Sequence, residues 1–107
     1  RMDGFVSMRA KADAGTFTTK PVVFAGRELV LNYATSAAGR LRVEITDPSG
    51  VPIPGFELDN CPILFGDSIA EAVTWSGDPN LSALAGKAVR LKFELRDADL
   101  YAFQFRP

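Results

Sequence analysis

In KAVRLKFELR (87–96) the apolar Val89, Leu91, Phe93 and Leu95 alternate with Arg90, Lys92, Glu94 and Arg96. A helix turns about 100° per residue and would scatter those four side chains round its circumference. An extended chain, whose side chains point alternately up and down, gathers them on one face. The same period returns in RLRVEIT (40–46), with Leu41, Val43 and Ile45 inward and Arg40, Arg42, Glu44 and Thr46 toward water. ELVLNYAT (28–35) sets Leu29, Leu31 and Tyr33 against Glu28, Val30 and Asn32. In LYAFQF (100–105), continued by Arg106, it sets Tyr101, Phe103 and Phe105 against Ala102, Gln104 and Arg106.

Short polar or small-residue clusters separate these segments, and two of them read as hairpin connections. SAAG (36–39) joins 28–35 to 40–46, and DAD (97–99) joins 87–96 to the aromatic segment. Weaker strands are expected at 4–9, 16–24 (interrupted by Pro21), 53–58 and 69–75. Pro52 and Pro54 cannot donate ladder hydrogen bonds, which puts 53–58 at an edge or in a loop. DPNLSALAGK (78–87) predicts one helical turn, capped by Asn80 and ended by Gly86. About eight short strands, joined by connections too brief for crossover helices, predict an all-β fold: an antiparallel two-sheet β-sandwich, jelly-roll-like. Each inward row needs an opposing apolar surface. With 107 residues and 47% hydrophobic content, the chain can close one core over 1–107, burying roughly 65% of the unfolded surface.

What is missing narrows function. There is no histidine, which removes Ser-His-Asp and Cys-His catalysis and the usual transition-metal ligand. Cys61 stands alone, so no internal disulfide forms, and a small apolar side chain within the fold is its plain role. Twelve basic and thirteen acidic residues give a net charge of −1, with no strong field to attract nucleic acid or an anionic membrane. No apolar run reaches the roughly 20 residues of a membrane span, and the opening RMDGFVSM lacks the apolar stretch of a signal peptide. A soluble module cut from a longer polypeptide is the expectation.

Asp97 and Asp99 beside aromatic rings invite comparison with a sugar-cleaving pair, but such a pair flanks a cleft and keeps one carboxyl protonated. Acids at a solvated turn satisfy neither condition, and Glu57, Asp59, Asp67, Glu71 and Asp78 have no partner fixed by spacing. The chain is read as no enzyme, with no catalytic residue. Loops 59–68 and 76–80 carry oxygen ligands that calcium accepts, yet no DxDxDG array occurs, so no cofactor or metal is expected and calcium is only an alternative.

Most aromatics, including Phe5, Phe17, Phe24, Phe93, Phe103 and Phe105, fall at inward positions and read as core. Trp75 ends AEAVTW just before SGDPN. It groups with buried Val73 by alternation, but it could also stack on a sugar ring, with Asp67, Asp78 and Asn80 accepting hydroxyl hydrogen bonds. Ile63, Leu64 and Phe65 in CPILFG are the candidate contact with another domain, or else a loop folded over the open end of the sandwich. The outward rows 40–44 and 90–96 read as a solvated, ion-paired face that becomes mildly basic if the two strands are neighbours.

DGFVSMRA, TKPVVF, LVLNYATSAAGRLRVEITDPSGVPIPGF, GDSIAEAVTWSG and above all VRLKFELRDADLYAFQF, taken in order, resemble the small β-sandwich that follows predicted glycosyl hydrolase propeller domains in bacterial extracellular proteins. The resemblance spans nearly the whole chain. It implies an extracellular or periplasmic accessory domain, covalently linked to a catalytic domain that holds the chemistry. Two roles follow: an appendage that packs on and stabilises that domain, or a carbohydrate-binding module stacking a sugar on Trp75.

Overall fold

A straight strand of 19 residues would span about 60 Å, yet this molecule is 36 Å in its longest dimension and contains two strands of that length. Both must therefore bend sharply. The computed structural model describes residues 6–78 and 80–107, with the side chains of 6–14, 37–38 and 67–70 outside that description. Phe5 and Pro79 lie outside the described residues. Among those residues five strands form: β1 (Val6–Thr18), β2 (Val22–Val23), β3 (Glu28–Thr46), β4 (Asp67–Ala72) and β5 (Ala88–Arg106). Short 3-10 turns lie at Leu58–Asn60 and Ser82–Leu84. All pairings are antiparallel, in the order β1-β5-β3-β4, and β2 pairs with β5 at Val22↔Val89, beyond the end of β1.

The expected array of about eight short strands is corrected here. Neither SAAG nor DAD turns the chain back: each lies inside one continuous strand, and those two strands pair with each other. The ladder runs from Glu28↔Arg106 to Thr35↔Ala98 and resumes at Arg40↔Arg96, so residues 36–39 bulge opposite Asp97 alone. Asp97 has φ 48°, in the left-handed region that Asp and Asn tolerate better than other side chains. A Cβ on Gly39 would overlap the Asp97 carbonyl oxygen and lie 2.8 Å from the Arg96 oxygen. The two bends are thus packed backbone against backbone.

Their effect is visible in the core. Phe93 and Phe103 are ten positions apart on β5, about 33 Å along a straight strand, but their ring centroids are 5.9 Å apart. The two halves of β5 therefore face each other, and one sheet supplies both sides of the interior. Asp97 also shifts the alternation: Val89, Leu91, Phe93 and Leu95 are followed inward by Ala98 and Leu100. A second bulge, at Tyr101, restores the odd phase for Phe103 and Phe105. Tyr101, expected inward, is consequently only half-buried. Val30, expected outward, is fully buried on the face opposite Leu29 and Leu31.

Non-strand residues close the interior. Phe24 stacks on Phe105 with centroids 4.2 Å apart, and Val73, Trp75, Leu81 and Leu84 join the same cluster. The expected turn forms at Ser82–Leu84, but its N-cap is Leu81 and not Asn80, whose Oδ1 accepts the Ser82 amide hydrogen from one residue further back; Gly86 at φ 81° follows its end. After β3, Asp47 Oδ1 accepts from the Ser49 and Val51 amides and sends the chain back along the strand it has just left. There Ile53 and Ile45, Phe56 and Ile45, and Leu64 and Leu41 are joined by backbone hydrogen bonds of 2.9–3.0 Å. This segment covers the upper edge of β3, and β4 covers the lower.

Gly39→Ala should cost at least about 2 kcal/mol in chemical denaturation, because rigid backbone oxygens occupy the Cβ position. Gly15→Ala, whose Cβ meets nothing within 4 Å, should be neutral or stabilise by up to ~1 kcal/mol. At the facing bend, Asp97→Gly should be tolerated, while a β-branched Asp97→Val should cost about 1–2 kcal/mol.

Candidate functional site

The residues singled out from sequence separate into an interior group, a loop and a charged face. Trp75 belongs to the interior. Its neighbours Ser76 (φ 54°) and Gly77 (φ 83°) form a two-residue turn closed by reciprocal backbone hydrogen bonds between Trp75 and Asp78. That turn directs the indole inward, where it is 2% exposed. Its Nε1–H donates to the Val43 carbonyl at 2.9 Å, and Phe56 meets it edge-on. The expected sugar platform is therefore corrected: the polar edge of Trp75 is satisfied inside the fold and the ring is withdrawn from solvent.

Asp78 and Asn80 are exposed, but their side-chain oxygens serve the chain itself. Asp78 Oδ1 accepts from the Asn80 amide and Asn80 Oδ1 from the Ser82 amide, both at 2.9 Å. Asp67 stands opposite Ala34 at the start of β4, and its side chain lies outside the description. Asp97 is exposed at the bend. Asp99 is half-buried in the following strand, with Oδ2 accepting from Tyr101 Oη at 3.4 Å and Oδ1 unpartnered among the described residues. The two acids thus mark a fold in a strand rather than a hairpin tip. Among the described residues no group of three or more Asp, Glu, Cys or His is arranged to hold a metal ion.

The CPILFG loop divides its three candidates. Leu64 exchanges backbone hydrogen bonds with Leu41 and is 9% exposed, so it is a core residue, which corrects its expected place in a domain contact. That bridge turns its neighbours outward, leaving Ile63 47% and Phe65 71% exposed. The loop is anchored on both sides: Gly66 donates to Thr35 Oγ1 at 2.8 Å, and Thr35 donates to the Gly66 carbonyl at 2.9 Å. Phe65 is displayed on a pinned backbone. Just before it, Cys61 is buried and accepts the Val43 amide hydrogen at Sγ. Burial raises its thiol above the ordinary value, against the opposing pull of that hydrogen bond and of Arg42.

The charged rows of β3 and β5 do lie side by side, with Arg40↔Arg96, Arg42↔Glu94 and Glu44↔Lys92 directly paired. Arg42 reaches Glu94 Oε1 with both Nε and Nη2 at 2.8 Å. Glu44 is 8% exposed, and its Oε2 accepts from the Leu58 amide. Arg40 and Arg96 are like charges placed opposite one another. The sequence placed each arginine at the end of an outward row; their direct opposition follows from the bulge and was not legible there.

Trp75→Phe should lose about 1–3 kcal/mol, since the Val43 carbonyl is left unpaired in the core, and native Trp75 fluorescence should resist aqueous quenchers. Cys61 should react with thiol reagents far more slowly in the native than in the unfolded chain. Its raised folded pKa contributes stability that is present below the unfolded value near 9.0 and is lost as pH rises through the folded one. Replacement by Ala should remove that alkaline dependence. Comparison with protein-family models, with curated proteins and with solved structures finds no match for this chain.

Proposed function

We propose that the chain is a non-catalytic accessory β domain that docks on a covalently linked neighbour through Phe65 and Ile63 and stabilises it. The observation that carries this reading is Phe65, an aromatic ring 71% exposed on a backbone held at both sides. Folding leaves its transfer free energy, about 1.5–3 kcal/mol for a side chain of this kind, to be gained by a surface that covers it. Ile63, two residues away, extends the same contact. The sequence resemblance implies a jelly-roll-like sandwich for such domains, and the single antiparallel sheet bent over one core is compatible with that reading. By the same resemblance the neighbour is a glycosidase-like catalytic domain of a secreted protein, which sets the chain in an extracellular or periplasmic location. Catalysis resides in that neighbour. Binding of carbohydrate by stacking on Trp75 loses its support with the burial of the ring.

Phe65→Asp should leave the isolated chain within about 0.5 kcal/mol of its original stability, as an exposed substitution does. In the longer polypeptide it should lower the melting temperature of the neighbouring domain and expose the linker between them to protease. An unchanged neighbour, or a gene encoding nothing beyond these residues, would sink the proposal.

A further inference from the structure

The outer face holds a feature that the docking role does not use. Arg40 and Arg96 are direct cross-strand partners, an arrangement in which like charges repel. Neither forms an ion pair among the described residues. The Nε of Arg40 is cut off from solvent and has no acceptor, so a charged donor has lost water without gaining a partner. The nearest acid in the row is engaged elsewhere, because Glu94 is held by Arg42 through two contacts to one oxygen. Arg40, Arg96 and Glu94, with Gly15, Thr16 and Leu95, line a groove of about 160 Å³.

From this geometry we infer that the Arg40–Arg96 groove is a binding site for a small oxyanion, a carboxylate or a phosphate or sulfate group carried by a larger ligand. The charges that bear on the groove are Arg40 and Arg96, with Arg42 behind them, against Glu94, Asp97 exposed at the bend, and Asp59, which lies 3.9 Å from Arg42. Across the two rows Arg40, Arg42, Arg90, Lys92 and Arg96 outnumber Glu44 and Glu94, so this face is positive although the chain as a whole carries −1. An anion held between the two guanidinium groups relieves their repulsion. Planar guanidinium forks suit the paired oxygens of such groups. The inference stands apart from the docking of Phe65 and survives its failure.

The test is an NMR titration of the 107-residue chain with sodium acetate, sulfate or phosphate at ionic strength held constant with sodium chloride. Saturable shifts are expected at the Gly15 and Thr16 amides and at the Arg40 side-chain Nε–H, with midpoints in the millimolar range. Arg40→Gln and Arg96→Gln should each weaken binding about tenfold or more. A response to acetate alone assigns the groove to carboxylates, and a response to sulfate or phosphate assigns it to tetrahedral oxyanions; either supports the site. Arg96→Glu gives a second readout. It turns the repelling pair into an attracting one, so it should raise the melting temperature in anion-free buffer and abolish the saturable response. Shifts that rise linearly and match those of chloride, or an anion response that persists in Arg96→Glu, would overturn the inference.

Discussion

The fold depends on one close approach: the backbone of Gly39 against the carbonyl oxygens of Asp97 and Arg96. Two 19-residue strands cannot lie straight in so small a molecule, and each is bent by its own local device. In β3 four residues bulge with glycine at the crowded point; in β5 one aspartate takes a left-handed conformation. Either bend alone would break the ladder. Because they face each other, the hydrogen bonds resume on both sides and the strand pair folds as a unit.

From that fold follow the core and the limits on the surface. Phe93 meets Phe103 because β5 bends sharply at Asp97, and the inner rows of both halves then need only short loops to seal them. The chain's own turns take up many of its polar side chains. Asp47, Asp78 and Asn80 hold turns, Glu44 holds the Leu58 amide, and Trp75 spends its single donor on Val43. Among the described residues two groups of side chains stand apart from these. Phe65 and Ile63 are turned out by the Leu64 bridge, and Arg40 and Arg96 are set against each other by the register. Each of these two places leaves an interaction unmade.

Much of this was legible one segment at a time. The rows Leu41–Val43–Ile45 and Val89–Leu91–Phe93–Leu95 face the core as their period demands, since alternation is a property of the extended chain itself. The short turn at Ser82–Leu84 was legible for a similar reason, its signal lying within a few residues, although its cap is Leu81 and not Asn80. The hairpins were misread because SAAG and RDAD suit a reversal of the chain as well as a bulge. Both place small or turn-forming residues between strands, and the choice between them rests on a partner more than fifty residues away. Leu64 and Phe65 show the same limit at the candidate site. Adjacent apolar residues in one loop look alike in sequence, and the hydrogen bonds to Leu41 decide which is buried.

The amino-acid sequence by itself determined that this chain is antiparallel β, where its strongest inward rows lie, and that histidine- or disulfide-based chemistry is beyond it. These depend on residue identity and on a two-residue period. Tertiary structure alone decided that four predicted strands are two, that Trp75 is interior, and that Arg40 meets Arg96. Strand register is a contest among long-range pairings, and it is settled only when the whole core closes and every buried amide finds its partner.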